Sequence, residues 1–223
     1  MPERPASVQG ESMTGPVPAR TTYRHGDLRQ ALLDAGLDMA RRGGPDAVVL
    51  REATRQAGVS PNAAYRHFAD RDALVRAVSD TAQGYAADHM AAELARIASI
   101  GDPAADARLR LRAVGTGYLR FAREEPGLFR AAFSVPHDLS EATSLAKQGV
   151  SGLTPFGTLG VVLDELTAAG VLPPERRLGA ELLAWSSVHG LGMLVIDGPL
   201  RGLDERMIDL SIERLLDLVD RGI

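Results

Sequence analysis

The segment Leu50 to Leu74, LREATRQAGVSPNAAYRHFADRDAL, constrains the fold more than any other part of the chain. It reads as a helix, a three-residue turn, a second short helix and the start of a third. The hinge falls at Gly58, because a tight turn between helices needs a positive φ that glycine adopts without steric cost. Ser60 follows as a candidate N-cap, and Pro61 takes the first helical position, where a missing N–H does no harm. Ala57, Val59, Ala64, Phe68 and Leu74 supply the apolar contacts that lock the helices together. A unit of this kind presents its second helix to the DNA major groove. A plain helical hairpin with a glycine turn would leave unexplained why Tyr65, His67 and Arg71 are all polar-tipped and fall toward one side.

With 223 residues, the chain suits one small compact domain plus a larger one. No apolar run approaches the roughly 20 residues needed to span a bilayer. With no Cys, disulfides, thiolate catalysis and Cys-based zinc sites are excluded. The N-terminus lacks a charged-then-apolar signal pattern, so a cytoplasmic location is expected. The net charge of −4 is unusual for a DNA binder, but it is unevenly spread. Residues 20–80 hold ten Arg against eight acidic residues and are the only net-positive part. A specific contact with few phosphates is expected rather than a broad electrostatic grip. Lys147 is the only Lys, every other basic residue being Arg, and this pattern reads as coding bias.

Residues 1–21 are rich in Pro, Gly, Ser and Thr without periodicity and read as a disordered tail. Arg20 and Arg24 could touch DNA from such an arm. A first helix is expected over Asp27 to Arg42, with Leu28, Ala31, Leu32, Ala35 and Met39 on one face. Gly43 and Gly44 end it. A second helix is expected over Val48 to Ala57 and a third over Pro61 to His67. A long helix then runs from Asp70 until Gly101-Asp102-Pro103 stops it. Further helices are expected at Ala104 to Glu124, Gly127 to Phe133, Pro155 to Ala169, Glu175 to Val195 and Asp204 to Arg221, with a loop-rich stretch from Pro136 to Thr154. No alternating strand pattern of useful length is present, so the fold is expected to be all-α. The division is a tail at 1–21, a helix-turn-helix domain at 22–72 and a larger helical domain at 73–223.

AGVSPNAAYRHFADRDAL resembles the signature of the TetR family of one-component regulators: a small residue, Gly-Val-Ser, a short variable stretch, Tyr-x-His-Phe, then a basic residue before an apolar one. The resemblance implies roles for individual residues. Ser60, Pro61, Asn62 and Ala63 stand at the start of the recognition helix. There Asn62 could pair with adenine and Ala63 could touch a thymine methyl. Tyr65, His67 and Arg71 match positions that grip phosphates, and Arg51 matches one that reaches a guanine or the backbone. The chain departs from the usual pattern at Ala53 and Thr54. The Thr54 hydroxyl needs a local partner, for which the carbonyl four residues back is suited.

Two later stretches, RLRAVGTGYLRFAREEPGLFRAAFS and AWSSVHGLGMLVIDGPL, resemble the TetR subfamily whose C-terminal domain is named for a Trp-His-Gly motif, spaced here as Trp185 and His189-Gly190. Trp185, His189 and Met193 share one helical face, and Tyr118, Phe121, Phe129 and Phe133 come from the earlier stretch. The resemblance implies an effector pocket among these residues for a small, substantially apolar molecule. A packed core, with His189 bonded to a backbone carbonyl, fits the same set. Leu203, Met207, Leu210, Leu215 and Leu218 give the last helix apolar residues on more than one side, which suggests burial against a second copy as well as its own domain.

Together these readings describe a homodimeric, ligand-responsive regulator of a double-stranded DNA operator, most simply a repressor released by a small molecule, with no cofactor, metal or membrane. One alternative is a DNA-binding factor without an effector, which predicts a filled core around Trp185. Another is a helical enzyme, but the chain has no Walker loop, G-x-S-x-G, HExxH or Gly-rich dinucleotide turn.

Overall fold

The computed structural model describes residues 28–136 and 138–223, so the tail expected at 1–21, with Arg20 and Arg24, lies outside the described residues. Among them are ten α-helices and no strand, an all-α architecture. Helices α1 (Leu28–Gly43), α2 (Leu50–Gln56) and α3 (Pro61–Tyr65) form the head. Its core is Leu32, Val48, Ala53, Ala64, Phe68 and Leu74, all essentially inaccessible to solvent. Gly58 has a φ of 68°, the left-handed turn that the hinge between α2 and α3 requires. Ser60 caps α3 by accepting the Ala63 N–H, and Pro61 occupies its first position. The Thr54 hydroxyl donates to the Leu50 carbonyl at 2.7 Å, so a buried polar atom at a helix crossing is satisfied locally.

The long helix expected from Asp70 to Gly101 ends at Leu94, with Ala95 as its C-cap, and two other boundaries differ from the sequence reading for physical reasons. α2 begins at Leu50 rather than Val48, because Pro45–Ala47 forms a 3-10 turn that Val48 closes in extended conformation, with Val49 extended beyond it. The single helix expected over Glu175 to Val195 is two, α8 (Pro174–Arg177) and α9 (Ala180–Ile196). Leu178 is extended and Gly179 left-handed, with φ 81°, which breaks the ladder between them.

Helix α4 (Arg71–Leu94), capped by Asp70, starts in the head and continues into the larger domain. There it packs on α5 (Pro103–Glu124) and α6 (Pro126–Ala132). The rest is α7 (Pro155–Ala168), α9 and α10 (Glu205–Gly222), arranged around α5. The stretch between α6 and α7 is loop-rich and carries two 3-10 turns, Leu139–Glu141 and Leu145–Lys147. One apolar cluster runs from Leu32 in α1 to Val219 in α10, so head and body share a continuous core. No helix among the described residues is long and apolar enough to cross a membrane.

Candidate nucleic-acid interface and ligand cavity

α3 is fixed from beneath and bare on top. Ala64 and Phe68 are buried below it, while Pro61, Asn62, Tyr65, Arg66 and His67 are exposed. Tyr65 leaves 56% of its surface in solvent, so its ring is no core element. Ala63 is half-buried, and Ser60 is spent on the cap. Arg51 is exposed at the start of α2, whereas Arg55 pairs with Glu52 at 2.6 Å. Arg71 sits differently from the others. Its guanidinium donates to the carbonyls of Val48 and Pro45, each at 2.8 Å, and lies 3.7 Å from Asp72. It therefore ties the start of α4 to the 3-10 turn ahead of α2.

In the larger domain, Tyr118, Phe133 and Trp185 line a partly enclosed cavity of about 70 Å³ whose other walls include Leu111, Val114, Phe156 and Leu216. An outer cleft of about 690 Å³ shares Gln83, Phe133, Ala142 and Trp185 with it and adds Lys147, Ser186 and His189. Phe121 and Phe129 are wholly buried behind these walls, and Met193 packs half-buried against the core; these three line neither space. Phe129 nonetheless stacks on His189, with ring centroids 5.4 Å apart. Gly192 faces the Phe129 ring, while an added Cβ at Gly190 would meet nothing within 4 Å.

A relay of hydrogen bonds sets the polar chemistry of the wall. Trp185 Nε1–H donates to Tyr118 Oη at 3.1 Å, and Tyr118 Oη lies 2.9 Å from His189 Nδ1. Burial pushes the Tyr118 phenol well above its ordinary range, only partly offset by the Trp185 bond, so it keeps its proton. The buried phenol hydrogen needs an acceptor, and among the described residues His189 Nδ1 is the one at hydrogen-bond distance, so Tyr118 donates to it. Desolvation holds the His189 pKa below its ordinary value, favouring neutral imidazole. Nδ1 is then the acceptor and Nε2 carries the hydrogen, leaving a donor on the His189 ring.

The cavity wall is also a structural junction. Gln83 of α4 donates its amide to the Ala132 carbonyl at the end of α6 (2.9 Å), and Ser79 Oγ donates to the same oxygen at 2.8 Å. At the other end of α6, an added Cβ on Gly127 would lie 2.3 Å from the Ala40 carbonyl oxygen and 2.4 Å from that of Arg41. The start of α6 therefore rests directly on the C-terminal carbonyls of α1, an arrangement the two helix dipoles favour. Arg41 and Glu125 close the seam with an ion pair at 3.0 Å. Neither Gln83 nor Gly127 stands out in the sequence, since each owes its importance to a neighbour more than 40 residues away.

The outer surface of α9 and α10 carries a strip of exposed apolar residues, flanked on α10 by charged ones such as Arg206, Glu213 and Arg214. Arg108, Arg112 and Arg123 of α5 hold α10 through Asp220, Asp217 and Asp209 at 2.5–2.7 Å, and Ile208, Leu216 and Val219 are buried beneath it. Leu203, Met207, Leu210 and Leu218 remain exposed, Leu218 at 66%, while Leu215 is half-buried against the chain's own core. On α9, Leu183 (60% exposed) and Leu194 continue the strip, with Ser187 and Gly190 between them. Among the described residues no group of three or more His, Cys, Asp or Glu is placed to hold a metal.

Residues 32–78 match the family model for bacterial regulatory proteins of the tetR family, and residues 111–219 match that for the tetracyclin repressor-like C-terminal domain. A protein of unknown function from Rhodococcus sp. RHA1 has the same fold at 26% identity and a TM-score of 0.70, covering 92% of this chain and 99% of its own. A TetR-family regulator from Pectobacterium atrosepticum superposes with a TM-score of 0.58 at 18% identity, over 91% of this chain and 95% of its own. Another from Marinobacter aquaeolei VT8 gives 0.54 at 22% identity, over 86% and 95%. No curated protein is a significant sequence match.

Proposed function

The chain belongs to the TetR family of transcriptional regulators, and from that premise we propose that it is a homodimeric repressor released from a near-palindromic operator by a small molecule bound in the larger domain. The observation that carries the ligand response is the double duty of Gln83, which belongs both to the cavity wall and to the bond joining α4 to α6. A ligand that takes the Gln83 amide and displaces Phe133 loosens α6 from α4, and α6 bears on the head through Gly127. The head then moves because α4 enters it without a linker. A ligand can act this way only if its affinity differs between the two arrangements.

Asn62 and Ala63 read base edges in this account, and Tyr65, His67 and Arg51 contact phosphates. Arg71 belongs to the scaffold instead, since backbone carbonyls already hold it. The exposed strip on α9 and α10 joins two copies into a four-helix bundle. Two-fold symmetry then sets the recognition helices about 34–36 Å apart. A DNA-binding factor without an effector would have no use for a void beside Tyr118 and Trp185.

The test is an anisotropy titration on operator fragments selected from genomic DNA, with salt varied. Two protomers should bind each palindrome with strong salt dependence. Asn62→Ala should relax preference at one base pair by about 1–3 kcal/mol. Tyr65→Phe and His67→Ala should weaken binding to all sequences alike. If these three variants bind the selected operator as the parent does, α3 is not the reading helix.

A further inference from the structure

We propose that the outer cleft binds the anionic headgroup of an amphipathic carboxylic acid, with Lys147 and His189 as its partners and the inner cavity receiving the apolar end. The proposal deepens the ligand-responsive reading above and rests on it.

Lys147 is the chain's only lysine and keeps just 2% of its surface in solvent, yet it lines the cleft. Among the described residues, no hydrogen bond or ion pair engages its ammonium. The side chain is enclosed, yet the ammonium keeps some contact with the cleft and meets no counter-charge there, whereas lysines so nearly buried are ordinarily paired. The acidic residue in the same lining, Asp138, is engaged elsewhere, since its carboxylate accepts the Ser140 N–H at 2.9 Å and caps a 3-10 turn. The Arg112 beside the inner cavity is matched with Asp217. The uncompensated charge of the two spaces is therefore the Lys147 cation. His189 adds a donor, since the relay from Trp185 through Tyr118 leaves its hydrogen on Nε2.

This is a lining of donors, and it calls for an acceptor that carries negative charge. The inner space makes the complementary demand, because its walls are mostly apolar, with Leu111, Val114, Phe156 and Leu216 among them. A cation would meet Lys147 head-on, and a neutral apolar molecule would leave it unpaired. The cleft, at about 690 Å³, lies within the range of pockets that hold small ligands, roughly 300–1,000 Å³. The position also suits regulation. The turn that carries Lys147 packs on α4, and just beyond it the Val150 N–H donates to Asp88 of α4 at 2.7 Å. A headgroup on Lys147 thus bears on the helix that enters the head.

Trp185 is the only tryptophan and lines both spaces, so its fluorescence reports on this site alone. The full chain would be titrated with two matched pairs of probes, octanoate against 1-octanol and 4-phenylbutanoate against 4-phenylbutan-1-ol. Melting curves would be recorded alongside. Each acid should bind at least about tenfold more tightly than its alcohol, as a charge-assisted contact requires. Lys147→Met should erase that preference while keeping alcohol binding. It should also melt higher than the parent without ligand and gain no more stability from an acid than from its alcohol. Equal binding of acid and alcohol by the parent overturns the headgroup assignment but leaves the cavity reading intact. So does a preference that survives Lys147→Met. Failure of all four probes to change either fluorescence or melting overturns the ligand class. Conversely, an acid bound through Lys147 that leaves operator affinity unchanged refutes the regulatory reading and spares the site.

Discussion

Gly127→Ala tests the seam between body and head. The added Cβ would lie 2.3 and 2.4 Å from two carbonyl oxygens of α1, neither of which belongs to a flexible side chain. Ordinary contact between carbon and a neighbouring heavy atom lies near 3.5 Å, so α6 must retreat by about 1 Å. A gap of that size forfeits a quarter to a half of the dispersion along the seam. Overpacking of this kind costs about 1–3 kcal/mol, against a gain of at most about 1 kcal/mol from replacing a helical glycine. The net loss is roughly 1–2 kcal/mol, which for a chain of this length lowers the melting temperature by about 2–8 °C. The assay is calorimetry on the full chain, with operator affinity measured in parallel. The variant should melt lower and bind the operator less tightly, because the head loses its rest. An unchanged or higher melting temperature would show that α6 yields without cost, and the seam could not then transmit a ligand signal.

Three further outcomes follow from the same contacts. Arg71→Ala should lower the melting temperature by about 2–6 °C through the loss of two bonds to backbone carbonyls. It should leave the salt slope of DNA binding unchanged; a slope flatter by about one would instead make Arg71 a phosphate contact. Leu183→Arg, at an exposed position on α9, should leave the fold intact and raise the dimer dissociation constant by about a hundredfold or more, read by analytical ultracentrifugation, because an unpaired charge is buried on association. A monomeric parent would refute the assignment of that face. Stability should also depend on His189. Its folded pKa is depressed by burial, so its contribution is full above the ordinary histidine value and is lost as pH falls through the folded value. His189→Gln should flatten stability against pH in that acidic window, and a curve identical to the parent's would show that the ring is not desolvated.

The head was legible because its determinants are local. Gly58, Ser60, Pro61 and the Thr54 hydroxyl each act within four residues, where spacing alone specifies a turn, a cap or a back-bond. The body was legible only as a set of helices. The aromatic residues of two distant stretches do converge, yet sequence could not sort Tyr118, which lines a cavity, from Phe121, which is packed behind it. The break at Gly179 is hidden because apolar residues continue on both sides of it, although a glycine after Leu178 is the available signal. Lys147 reads in sequence as an oddity of codon usage. Its meaning comes from burial, and a weakly patterned loop gives no sign of where it will pack.

The energetics limit how a ligand could act on the head. Both lone pairs of the Ala132 carbonyl are taken by α4, one by Ser79 and one by Gln83. A single neutral hydrogen bond contributes about 0.5–1.5 kcal/mol net. A hundredfold fall in operator affinity needs about 2.7 kcal/mol of coupling. Taking the Gln83 amide alone is therefore insufficient, since Ser79 still holds the same oxygen. The missing part must come from moving α6 itself, and the residue placed to do so is Phe133. It closes α6, lines both spaces and meets the His189 ring with centroids 4.9 Å apart. A ligand seated by a headgroup at Lys147 and His189 reaches the inner cavity across the wall that the two spaces share, Gln83, Phe133, Ala142 and Trp185. The energy of filling that cavity is then available to displace the end of α6, and with it the contact at Gly127 on which the head rests.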